Sequence, residues 1–176
     1  MPRLPWFERT FSFDFPIAWA PDIIERFRGT PARLEERLRG VPAEVLTRRE
    51  REGTWSIQEN AGHLLDLEPL WSRRLGDFLE GREELSPADL TNRGTHEAGH
   101  NDRPLEEILA AFRAARMREV QRLEALTEAD FARTALHPRL KTPMRLIDAV
   151  TFVCCHDDYH LARMTELMRM LGDGGR

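Results

Sequence analysis

The chain has 176 residues, of which 41% are apolar and 32% charged, with 30 acidic side chains against 26 basic ones and a net charge of −4. That length supports one domain with a substantial core, spanning residues 1–176. Interspersed charges leave no basic footprint for nucleic acid, and no apolar run reaches the roughly 20 residues that cross a bilayer.

The first stretch, MPRLPWFERTFSFDFP, is aromatic, and charges break it before a signal-peptide core forms. It reads as an arm of about 20 residues on a cytoplasmic protein. From Pro21 to Leu38 a helical period follows in Ile23, Ile24, Phe27, Leu34 and Leu38, interrupted at Gly29-Thr30-Pro31, where Thr30 and Pro31 suit a capped restart. A second helix opens at Ser56 with the capping-box pattern S-x-x-E and runs from Ile57 to about Leu79, across Pro69, which must kink it or remove a hydrogen bond. A polar connection from Gly81 to Arg103 holds His96 and His100, read as exposed loop residues, with His100 also able to reach substrate if the loop closes over a pocket. The third helix runs from Pro104 to about Leu126. The fourth opens at Thr142-Pro143 and runs to Leu171, with Gly172 as its stop. Strand signals are almost absent, so the chain reads as an all-α four-helix bundle.

Cys154 and Cys155 are neighbours and point about 100° apart on a helix, which makes a disulfide implausible and small apolar packing the plain reading. Projection of each helix asks which polar residues share an apolar face. Glu68 lies central among Ile57, Ala61, Leu64, Trp71, Leu75 and Phe78. Arg116 lies central among Leu105, Leu109, Phe112 and Leu123. A buried charge needs a partner, so Glu68 and Arg116 are expected to pair inside the bundle. On the fourth helix His156 and His160 fall within the arc of Ala149, Phe152, Val153, Met164, Leu167, Met170 and Leu171, with Arg163 beside them. Histidines at i and i+4 can bind one cation, though the spacing alone is a weak signal that core-edge histidines also meet. His63 on the second helix would complete three ligands, an open set of the catalytic kind.

The stretches GTWSIQENAGHLLDLE and HPRLKTPMRLIDAVTFVCCHDDYHLARM, in that order and separation, resemble the DinB/YfiT-like superfamily from about Asp22 to Leu171. The resemblance implies an up-down-down-up four-helix bundle with one divalent metal ion held by His63, His156 and His160. Three imidazoles suit zinc, nickel or iron. It also implies a small-molecule substrate and allows a homodimer. Some relatives transfer low-molecular-weight thiols such as bacillithiol, mycothiol or glutathione to electrophiles. Others are described as metal-dependent hydrolases acting through metal-bound water, with Glu59 or His100 as the residue here that would move protons. The leaning is to thiol transfer. A reading of another class is a non-catalytic, stress-associated metal-binding or interaction protein.

Helix spacing places Glu59 and Asp66 near His63, and Asp157 within the buried arc, as groups that could hold a ligand imidazole. Arg163 is a candidate for an anionic substrate group, with an ordinary salt bridge as the alternative. His137, before Pro138, is expected near the site without a ligand role. Trp55 and Trp71 read as core anchors.

Overall fold

The computed structural model describes residues 3–172. Among the described residues there are eight α-helices: α1 (Ala20–Arg28), α2 (Thr30–Leu38), α3 (Ala43–Thr47), α4 (Ile57–Leu79), α5 (Arg93–Glu97), α6 (Leu105–Glu124), α7 (Glu128–Phe131) and α8 (Leu146–Gly172). Two strands, β1 (Thr134–Leu136) and β2 (Pro143–Arg145), form a small antiparallel pair.

The core has two large apolar ends and a smaller cluster of Trp6, Met144 and Phe152. One end gathers Ile23, Ile24 and Phe27 of α1, Leu75 and Phe78 of α4, Val120 and Leu123 of α6, and Ile147, Val150 and Val153 of α8. The other gathers Leu34 and Leu38 of α2, Ile57, Ala61 and Leu64 of α4, Phe112 of α6, and Leu161, Met164 and Leu167 of α8. Reading each helix from its first residues to its last gives the directions. The α1–α2 pair and α8 run one way while α4 and α6 run the other, an up-down-down-up bundle. Consecutive parallel helices need a connection that travels the bundle's length, because α4 alone covers about 34 Å at 1.5 Å per residue. Residues 80–104 supply it.

That crossover is tied down at both ends. Leu85 N–H donates to Leu136 O and Leu136 N–H to Glu83 O at one end. At the other, Gln58 Nε2 donates to the carbonyls of His100 and Arg103, and Ser56 Oγ donates to Asn101 Oδ1. The predicted capping box at Ser56 is present, with Glu59 N–H donating to Ser56 Oγ and Ser56 N–H to Glu59 Oε2. Pro69 lies on the exposed side of α4, where water can serve the carbonyl it leaves free, and the helix continues through it.

Between the two apolar ends lies a charged layer. Arg116, fully buried, donates from Nη2 to Glu68 Oε1 at 2.6 Å and from Nη1 to Asp157 Oδ2 at 2.6 Å. Its guanidinium stacks 3.9 Å from the centroid of the Phe27 ring. Burial raises the Glu68 carboxyl to about 7 against the opposing pull of Arg116, and Glu68 Oε2 has no partner among the described residues.

Four expectations need correction. Thr30 does not cap α2: it is the helix's first residue after Gly29, and its hydroxyl donates to Asp157 Oδ2 at 2.9 Å. The fourth helix starts at Leu146, because Pro143–Arg145 pairs with β1 so that Met144 and Ala135 point inward together. A proline is tolerated as the first residue of such an edge. Met170 is exposed, one turn beyond the end of the apolar seam. Cys154 is buried as expected, but Cys155 is only half-buried.

Candidate metal centre

His63 projects from the second turn of α4, and His156 and His160 from adjacent turns of α8, so two helices running in opposite directions face one point. All three rings are buried, and one nitrogen from each lies within 4.8 Å of the others. They line a cavity of about 560 Å³ walled by Trp6, Trp55, Trp71, Phe152 and Tyr159.

The partners of two rings fix which nitrogen is free. Asn60 Nδ2 donates to Ser56 O, so Asn60 Oδ1 faces His160 and accepts its Nδ1–H at 2.9 Å. Thr95 donates its hydroxyl to Asp66 Oδ2 at 2.8 Å and therefore accepts His63 Nδ1–H at 2.9 Å. Both rings present an Nε2 lone pair to the cavity. His156 Nε2 stands 3.2 Å from His160 Nε2, while His156 Nδ1 is buried without a partner. Burial is the main force on all three pKa values. It lowers His63 to about 3, with help from His156 and against Asp66, and His156 to about 3, with help from Arg116 and Arg139. His160 is held well below its ordinary value by burial and by the other two histidines. Neutral imidazoles whose nitrogens converge, two of them with fixed tautomers, are the donor set a divalent cation needs, and three of them leave coordination positions open. The residues fit a metal ion.

Other expected site residues fall elsewhere. Asp66 reaches His63 only through Thr95, and accepts His100 Nε2 at 2.8 Å. Burial alone would raise the Asp66 carboxyl, but the bonds from His100 and Thr95 win and hold it below the usual range. His100 is not a loop residue at the pocket mouth. Its ring is buried against Gly62 and is not among the residues lining the cavity. Glu59 is taken by its capping box and by Arg49, whose Nε donates to Oε2 at 2.9 Å, and it holds no histidine. Asp157 orients Arg116 rather than a ligand. Arg163 lines the cavity but is engaged by Glu50 at 2.5 Å and Glu166 at 2.8 Å. His137 is buried in the cavity wall, His96 lines the rim, and Trp55 is a half-buried wall residue, while Trp71 both lines the cavity and packs against the apolar core as expected.

Sequence reasoning missed three parts of the site. Trp6 of the arm packs edge-on against His156 with ring centroids 5.0 Å apart, and against Phe152 at 5.1 Å. The dense aromatic spacing of the arm was its signal. Asn60 was marked only by standing one turn before His63's successor Leu64. Thr95 carried none, since α5 has no apolar period.

The sequence profile described as the DinB superfamily matches residues 26–164. The chain belongs to the DinB superfamily. A protein of Geobacillus thermodenitrificans named "Putative metal-dependent hydrolase" is 25% identical over 150 residues, 85% of this chain and 84% of that protein. The DinB bundle here superposes on YfiT from Bacillus subtilis with a TM-score of 0.79 at 23% identity, over 94% of both chains. YfiT is described as a probable metal-dependent hydrolase with an unusual four-helix bundle topology. A protein from Streptococcus pneumoniae matches with a TM-score of 0.62 at 10% identity, over 90% of this chain and 93% of that one. These two likenesses concern the fold. Among the described residues no helix is long and apolar enough to cross a membrane.

Proposed function

We propose that this DinB protein is a divalent-metal-dependent enzyme that transfers a low-molecular-weight thiol to an electrophilic small molecule. His63, His156 and His160 would hold the ion through Nε2, with Thr95 and Asn60 fixing the first and last rings. When bound there, a divalent ion favours the ionised form of a thiol or water and polarises an electrophile.

The observation that carries the choice is the lack of a ready carboxylate beside the triad. Among the described residues the cavity lining includes one acid, Asp89, and its oxygens accept from Thr91 N–H, Thr91 Oγ1 and Arg93 N–H. Glu59 and Asp66 are engaged as described above. A thiol nucleophile needs less help than water, because its proton leaves near pH 8.5 even when unassisted. The chain's own contribution is then an aromatic-walled cavity with room to align two small reactants beside the triad. A metal-dependent hydrolase is the second reading, favoured by the name of the Geobacillus relative. It requires a proton carrier at the cavity, and His96 on the rim is the group available.

The test is a screen of bacillithiol, mycothiol and glutathione with electrophiles, on zinc-, nickel- and iron-loaded protein, comparing wild type with His160→Ala. Thiol-dependent turnover that disappears in His160→Ala supports the proposal. Equal rates in both proteins would defeat it. Turnover of esters or amides without any thiol would transfer the assignment to hydrolysis.

A further inference from the structure

Arg74, His137 and Arg139 line the same cavity as the three histidines. Arg74 is contributed by α4, and the other two by the turn between β1 and β2. Arg74 is 6% exposed and has no ion-pair partner among the described residues. Its Nε donates to Ser86 O at 2.9 Å, and its Nη1 faces His137 Nε2 at 3.3 Å.

The second contact is not a hydrogen bond. His137 Nδ1 accepts the backbone N–H groups of Arg139 and Leu140, each at 3.2 Å. A ring nitrogen that accepts carries no proton, so the neutral imidazole keeps its hydrogen on Nε2. Burial, with Arg74 and Arg139 nearby, lowers His137 to about 4 and keeps the ring neutral. Two N–H groups therefore point at each other with no acceptor between them. Arg139 adds a third donor: its Nη2 is buried without a partner, and its guanidinium lies 5.2 Å from the Phe7 ring centroid. Buried donors are ordinarily matched by acceptors, and the described residues supply none to these three groups.

The geometry points to an oxyanion subsite, in which Arg74, His137 and Arg139 together hold a carboxylate or phosphate group of the substrate. This inference rests on the reading of the cavity as a substrate pocket. Trp71 gives the substrate its direction. Its ring lies 5.4 Å from the Arg74 guanidinium and 6.0 Å from the His156 ring, so an anion held at Arg74 places the adjoining carbon skeleton along Trp71 toward the triad. The substrate class is an anionic molecule with an apolar body and its reactive centre about one ring's breadth from the charge.

Calorimetric titration of the zinc-loaded chain with phenylacetate, phenyl phosphate and the neutral phenylacetamide tests this. At least one anion should bind about tenfold or more tightly than the amide, the scale of one good charged hydrogen bond. Arg139→Gln should erase most of that preference, Arg139→Lys should keep part of it, and His160→Ala should leave it in place. Inorganic phosphate should also compete with the anions on wild-type protein, a measurement that needs no variant. The tighter of the two anions identifies the group. Equal binding of anion and amide, a preference that survives Arg139→Gln, or one lost only in His160→Ala would overturn the inference, the last by placing the anion on the metal. Failure of the metal-dependent reading looks different: an Arg139-dependent preference in a protein that binds no metal would leave the subsite standing.

Discussion

Gly62 and Gly76 lie on the same helix, α4, and replacing each with alanine should move stability in opposite directions. In a helix interior alanine is favoured over glycine by about 1 kcal/mol. At Gly76 a new Cβ meets nothing within 4 Å, so Gly76→Ala should gain up to that amount. At Gly62 it would sit 2.3 Å from Cδ2 and Cγ of His100 and 2.4 Å from Nδ1. The ring is 1% exposed and tethered to Asp66 at 2.8 Å, so it cannot step aside without giving up that bond. Overpacking costs about 1–3 kcal/mol and a lost hydrogen bond to a charged group about 1.5–3 kcal/mol. Set against the propensity gain, Gly62→Ala should destabilise by roughly 2–4 kcal/mol. At about 2–4 °C per kcal/mol for a chain of this size, the melting temperature should fall by roughly 5–15 °C. Urea unfolding and calorimetry of the two variants beside wild type measure this. A Gly62→Ala protein as stable as Gly76→Ala would refute the packing argument, and with it the account of how Asp66 is held.

Three further outcomes are expected. Arg116→Met strands Glu68 and Asp157 in the bundle centre and should cost about 3–5 kcal/mol in urea unfolding, whereas a near-neutral result would mean that the layer relaxes around its loss. The metal-free protein should weaken in acid. His63 and His156 sit at about 3 and His137 at about 4 when folded, below the ordinary 6.5, so only the unfolded chain takes up these protons as the pH falls. Stability should be full above about pH 6.5 and decline toward pH 4 by up to about 1.4 kcal/mol per pH unit for each histidine, and a urea midpoint unchanged between pH 7.5 and 5 would contradict it. Trp6→Ala removes the ring between His156 and Phe152, so limited proteolysis should cut the arm before Pro16 much faster than in wild type.

The bundle and the triad were legible because both depend on one variable, the angle of a residue around its helix. Glu68, Arg116, His63, His156 and His160 all lie on apolar stripes, and a polar residue on such a stripe must face the others. The reading failed where position is set by segments without a period. His100 looked like a surface loop residue, yet the crossover brings it into the notch at Gly62. Asp157 has the right angle but lies nearer Arg116 than either histidine's free nitrogen, and angle alone does not rank partners. Arg74 sat on the second helix in plain view. Its significance depends on His137, whose tautomer is fixed by backbone groups in a turn. Pro143–Arg145 was assigned to helix because Thr-Pro is a good helix start, a local preference overridden by pairing with Thr134–Leu136.

The placement of His63 on α4 and of His156 and His160 on α8 also bears on how the protein would acquire the ion proposed for them. During synthesis α4 emerges early with one ligand, and the helix carrying the other two is made only after α6 and the β-hairpin. A single imidazole holds a divalent ion weakly, so the nascent chain has no site to nucleate around. Small zinc modules fold because the ion gathers their ligands. Here the three histidines are held by the closed bundle, so an ion would meet nitrogens already set in place by Thr95, Asn60 and the packing of Trp6. Such an order of assembly would give the protein, rather than the ion, the first say in coordination geometry.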